Sequence, residues 1–170
     1  MQPEQAAFLR DQLLNSLRME HPTTRRVVEA IPVDQASYRP DEVGRRAIDL
    51  AWHIVGAEHL FMEAVVNGVF DFTNSGRPAT LTNTAEIARW YGETFAQDAA
   101  KVGALDADRL LRVVDFRGLF RLPAVAFLQF SMSHIIHHRG QLSMYLRPMG
   151  AKVPAIYGES YDSAKAKEAK

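Results

Sequence analysis

Apolar residues recur at the three- and four-residue intervals of a helix in four stretches of the chain, separated by segments rich in proline, glycine and short polar residues. The first stretch runs from about Pro3 to Ala30, with Phe8, Leu9, Leu13, Leu14 and Leu17 followed by Val27, Val28 and Ile31. Pro22 interrupts it. Proline lacks a backbone donor and biases the preceding residue, His21, away from helical geometry, so a kink or two consecutive helices is expected there. Ile31-Pro32-Val33-Asp34 and Tyr38-Arg39-Pro40-Asp41 then read as a turn-rich surface connection.

The second helix is expected from Gly44 or Arg45 to about Val66, stopped at Asn67-Gly68. At 100° per residue, Leu50, Ile54, Ala57 and Phe61 form one apolar stripe with His53 inside it, while His59 points the other way and should be solvated. Glu58 borders the stripe, where a half-exposed ion-pair role competes with that of a ligand or base. Phe70 to Thr82 holds Asn74-Ser75-Gly76-Arg77-Pro78, a loop long enough to lie over a site. Asn83, with Glu86 three residues on, is a capping box that opens a third helix. Ile87, Trp90, Tyr91, Thr94, Phe95, Asp98 and Val102 should carry its buried side, and Gly103 should end it.

Leu110 to Leu122 reads either as extended chain or as a short hairpin. Pro123 suits the first turn of a fourth helix reaching Leu146, with Pro148 and Gly150 terminating it. Four amphipathic segments with short connections predict an all-α protein, an antiparallel four-helix bundle with an extended C-terminal tail over residues 152–158. At 170 residues the chain is long enough for one well-packed domain, expected over residues 1–160, with a frayed polar tail at 161–170.

Charge and composition narrow the chemistry. Twenty basic residues balance twenty acidic ones, which argues against nucleic acid or an anionic membrane as partner. There is no cysteine, so disulfides, thiolate metal sites and a cysteine nucleophile are excluded, and any metal must rest on histidines and carboxylates. Met1-Gln2-Pro3-Glu4-Gln5 does not open a secretory signal, and no run reaches the roughly 18 apolar residues of a membrane span, so a cytoplasmic location is expected.

The fourth helix carries the candidate chemistry. In Ser133-His134-Ile135-Ile136-His137-His138-Arg139-Gly140-Gln141, His134 and His138 stand one turn apart on one face, with Gln141 and Tyr145 continuing the stripe. Such a pair can clamp a metal, and burying two imidazoles without partners is costly. His137 could replace His138, and spacing does not choose between them. An isolated H-x-x-x-H is more often two ordinary helix histidines, so a third ligand is required. His53 is the candidate, weighed evenly against a core histidine bonded to a carbonyl or to Asp49.

The order of Ala51-Trp52-His53-Ile54, the run from His134 to Leu142, and the tail Gly150-Ala151-Lys152-Val153-Pro154-Ala155-Ile156-Tyr157-Gly158 resembles the DinB family of metal-dependent enzymes. The likeness covers nearly the whole chain. It implies a four-helix bundle, usually a homodimer, with a divalent metal on three histidines, which here fall on His53, His134 and His138. Three imidazoles accept zinc, nickel, iron or manganese, with zinc or nickel favoured. Three ligands leave coordination positions open, as catalytic sites do.

The likeness further implies a thiol-dependent transferase in which the metal holds a low-molecular-weight thiol as thiolate for attack on a small electrophile. One alternative is a hydrolase using a metal-bound water, with Glu58 or Asp49 as base. The other is a non-enzymatic metal-stabilised stress or ligand-binding protein.

Overall fold

The computed structural model describes residues 1–168, and four long helices dominate it: α1 (Pro3–Glu29), α2 (Ala47–Asn67), α3 (Thr84–Gly103) and α5 (Ala126–Leu146). Each of α1 and α2 packs against both α3 and α5, so the core lies where the four meet. Alpha-helix α2 is apolar over a wide arc for this reason. It buries Leu50, Ile54 and Phe61 as the periodicity requires, but also Ala51, Val55 and Met62.

Helix α1 runs through Pro22 as one element, so of the two outcomes open at that proline, a kink or two consecutive helices, the second does not occur. Leu14 and Leu17 before it, and Thr24, Val27 and Val28 after it, are all buried, so tertiary packing on both sides offsets the lost backbone bond. Phe8 departs from the expected stripe and is 67% exposed. No side chain caps the start of α2; the connection does so instead, with Ala47 donating to the Tyr38 carbonyl at 2.8 Å and Ile48 to the Ala36 carbonyl at 3.0 Å. Gly68 then closes α2 at φ 80°, against the Arg112 guanidinium. The Asn83–Glu86 capping box opens α3 as expected.

A short helix α4 (Ala107–Leu111) leads into an antiparallel hairpin of β1 (Val113–Phe116) and β2 (Phe120–Pro123), which resolves the open reading of Leu110 to Leu122. Arg117 and Gly118 adopt positive φ at its turn, and the Asp115 carboxylate accepts the Gly118 N–H at 2.7 Å. Phe116 and Phe120 stack at 5.1 Å and join Phe61, Phe70 and Phe127 in one aromatic cluster.

Pro123 belongs to β2, opposite Val113, and is not the first residue of the following helix. The chain first crosses back onto α4, Ala124 donating to Arg112 and Val125 to Leu110, which delays α5 to Ala126. After Leu146, Ala151 donates to the Leu146 carbonyl and Gly150, at φ 76°, to that of Arg147, the paired bonds of a glycine-closed helix end.

Residues 152–158 carry no regular structure and pack Val153 and Ile156 on the core. The tail expected to fray forms a sixth helix, α6 (Tyr161–Glu168), while residues 169–170 lie outside the described part. Ser160 and Ser163 exchange side-chain-to-backbone bonds at its start, and Asp162 holds the Val153 N–H and Arg147.

One buried charge ties the tail to the helices. Arg139 is 1% exposed and reaches Glu20 at 2.5 Å, Thr24 at 3.2 Å and the Tyr157 hydroxyl at 2.7 Å. The hydroxyl in turn donates to Glu20 at 3.1 Å. Removing one member of a buried pair strands the other, which costs about 3 kcal/mol. Arg139→Met should therefore lower stability by about that amount in equilibrium urea unfolding; an unchanged midpoint would show that the pair contributes nothing.

Candidate metal centre

The paired helices α2 and α5 bring three imidazoles to one point. His53 Nε2 lies 3.2 Å from His138 Nε2 and 3.2 Å from His134 Nε2. The ligand atoms of all three lie within 4.8 Å of one another. His134 and His138 share a face because they are one turn apart, and His53 meets them because it sits on the side of α2 that packs on α5. His137 does not join them. It is exposed, its ring 4.7 Å from that of His138, so the register of α5 against α2 selects His138.

The geometry fits a cation better than it fits hydrogen bonds among the rings. A neutral imidazole nitrogen either donates one bond or accepts one, whereas His53 Nε2 faces two other nitrogens. Three nitrogens about 2.1 Å from one ion are separated by about 3.0 Å in octahedral and about 3.4 Å in tetrahedral geometry. The two separations from His53 Nε2, 3.2 Å each, fall between these values. Burial pushes the His53 imidazole down to about 4 and that of His134 to about 3, and lowers His138 as well, with Arg45 adding to the effect on each. All three are thus neutral near pH 7, the form that binds metal.

The surroundings orient some of these rings. His138 Nδ1 meets Gln141 Oε1 at 3.0 Å, the outer partner that fixes a ligand's tautomer. His134 Nδ1 is buried with no protein partner among the described residues, and its ring lies 5.9 Å from that of Phe61 in the aromatic cluster. A cavity of about 490 Å³ opens beside His53, bounded by Asp49, Trp52 and the loop at Ser75, Gly76 and Arg77. Trp52 anchors that loop through a 3.1 Å bond from its indole N–H to the Ser75 carbonyl. Its ring sits against residue 56, a glycine, where a Cβ would come within 2.9 Å of the indole.

The two carboxylates considered from sequence are both engaged elsewhere. Glu58, expected to be half exposed, is 2% exposed and accepts the Tyr91 hydroxyl of α3. Asp49 lines the His53 cavity, yet its carboxylate is held by Arg46 at 2.6 Å and it makes no bond to His53.

His59 is partly exposed, as expected, but it is also bonded. Its Nδ1 bonds Asp98, itself 2% exposed, at 2.6 Å, and that bond raises its pKa. Asp98 lies on the buried side of α3, as its spacing predicts, and a buried carboxylate demands such a partner. His59, Glu63 and Asp98 form a second group that could hold a metal. The Lys101 ammonium already supplies the positive charge there, at 2.7 Å from Glu63 and 3.7 Å from Asp98.

Burial raises the Glu58 carboxyl to about 8, far above its ordinary value of 4.5. A folded-state pKa above the unfolded one gives stability that is full below about pH 4.5 and lost as pH rises through about 8. Wild-type stability should fall as pH rises from about 4.5 to about 8, and Glu58→Gln should flatten that decline. Parallel unfolding curves for the two proteins across this range would contradict a protonated Glu58.

The matching family model, described as the DinB family, spans residues 1–169. YjoA of Bacillus subtilis (strain 168), an uncharacterized protein, is 30% identical over 142 residues, covering 82% of this chain and 90% of its own length. YrdA of the same organism, also uncharacterized, is 26% identical over 153 residues and 87% of each chain. The crystal structure of the DinB-like YjoA superposes with a TM-score of 0.72 at 29% identity, over 87% of this chain and 99% of that one. A DinB-like protein from Bacillus cereus gives 0.72 at 23% identity over 86% and 97%, a likeness of fold alone. With a family model matching almost end to end and a relative at this level of identity, the chain belongs to the DinB family.

Proposed function

We propose that this protein is a divalent-metal-dependent enzyme, a thiol transferase acting on small electrophiles, whose ion rests on Nε2 of His53, His134 and His138. The observation that carries the reading is the convergence of these three neutral nitrogens, two of them 3.2 Å from His53 Nε2 and all within 4.8 Å of one another, beside a cavity of small-molecule size. Zinc or nickel suits an all-imidazole set, with iron and manganese as the other candidates. A bound divalent ion supplies Lewis acidity that favours the thiolate form of a thiol near neutral pH.

The chain's own residues hold the remaining roles. His53, His134 and His138 fix the ion from two rigid helices, and Gln141 orients His138. The Trp52-anchored loop walls the cavity. The absence of cysteine means that the thiol comes from outside the chain. The hydrolase reading is weaker because it needs a base, and Glu58 and Asp49 are committed to Tyr91 and Arg46. We further read the four long helices as an antiparallel bundle forming one domain over residues 1–160. A homodimer accords with the family likeness. Among the described residues no helix is long and apolar enough to cross a membrane.

Elemental analysis of the purified protein and its variants tests the ligand set. About one divalent ion per chain is expected in wild type, His137→Ala and His59→Ala, and little in His53→Ala, His134→Ala or His138→Ala. Equal content in all six would refute the assignment. With cobalt in the site, a small thiol such as 2-mercaptoethanol should change the visible spectrum. No change would favour hydrolysis, and no metal even after reconstitution would leave a helical protein without a metal function.

A further inference from the structure

The cavity beside His53 has a charge that the chain as a whole does not. Basic and acidic residues are equal in number over the full sequence, yet three arginines, Arg45, Arg77 and Arg117, line this one space with a single carboxylate, Asp49. They come from separate elements: the connection just before α2, the loop after it, and the turn of the β1–β2 hairpin. Three cationic side chains brought from separate elements to one cavity give it a positive potential that favours an anion there.

Their local partners do not neutralise them. Arg45 and Arg117 make no ion pair among the described residues. Arg117 lies over the Phe72 ring, 3.8 Å from its centre, which aims a guanidinium without supplying a counter-charge. Arg77 bonds the Leu81 carbonyl, stands 4.0 Å from Asp49, and leaves its Nε buried without a protein partner among the described residues. Asp49 itself is satisfied by Arg46, which does not line the cavity. A guanidinium is a planar fork of donors that matches an oxyanion in two bonds, and a cavity of about 490 Å³ admits a small organic ligand.

We propose that this cavity is an oxyanion subsite, and that the thiol used beside His53 carries a carboxylate or phosphate group held by Arg45, Arg77 and Arg117. The charge requirement rests on the arginines alone; its assignment to a thiol rests on the transferase reading. The hairpin then has a role in recognition. Its left-handed turn residue, Arg117 at φ 54°, is the hairpin's contribution to the cavity.

The test separates the two claims. Succinate and inorganic phosphate are titrated by calorimetry into metal-free protein and into Arg45→Gln/Arg117→Gln, both substitutions lying at exposed positions and checked for unchanged thermal midpoints. Binding to wild type that weakens about tenfold or more in the variant, and weakens with added salt, supports the subsite. The stronger of the two ligands identifies the oxyanion. The cobalt-loaded protein is then titrated with mercaptosuccinate and with uncharged 2-mercaptoethanol. Mercaptosuccinate should change the spectrum at concentrations at least about tenfold lower, and the variant should lose that preference. Equal response to both thiols, with no arginine-dependent binding of succinate or phosphate, overturns the subsite and leaves the transferase reading standing. Arginine-dependent anion binding with no cobalt response to either thiol does the reverse.

Discussion

Three neutral imidazoles held nitrogen to nitrogen in a partly buried place are the constraint on which the rest depends. Each ring must be kept unprotonated, and none can satisfy the other two by hydrogen bonds alone. The arrangement survives only if α2 and α5 are fixed in rotation and register, because a one-residue slip would swap His138 for exposed His137. The ends of both helices are secured accordingly. Backbone carbonyls of the preceding connection cap α2, left-handed Gly68 closes it, and the Gly150 turn closes α5. On the neighbouring side of α5, Arg139 locks the helix to Glu20 of α1 and to the tail.

Polar groups on α2 are sorted by face. His53 turns to α5, while Glu58 and His59 turn to α3, where Tyr91 and Asp98 receive them. One helix thereby serves a candidate metal centre and a separate network of buried hydrogen bonds, with the five-residue step from His53 to Glu58 accounting for the change of direction. The aromatic cluster of the hairpin, continued by Phe61 to the His134 ring, gives the site an apolar wall.

What could be read from the sequence was local. The i, i+4 spacing of His134 and His138, the inward stripe containing His53, the Asn83–Glu86 box and the Gly68 stop all depend on neighbours within about one turn. What could not be read depended on distant partners. The burial of Glu58 is explained by Tyr91 and that of Arg139 by Glu20, both far along the chain. The choice between His137 and His138 needed the rotation of α5 against α2. Pro123 was compatible with a helix start, and only its pairing with Val113 makes it the end of a strand. The Ser160 and Ser163 cap of α6 was a local signal, but the charged sequence after it gave no sign of the Asp162 contacts that hold the helix in place.

X-ray absorption at the zinc edge of the zinc-loaded protein, recorded with and without a small thiol, tests the central claim most directly. The account predicts a shell of three imidazole nitrogens at about 2.0–2.1 Å, joined on thiol addition by one sulfur at about 2.3 Å. A first shell without imidazole scattering would contradict the three-histidine centre, and an imidazole shell that gains no sulfur would contradict thiol activation at that centre.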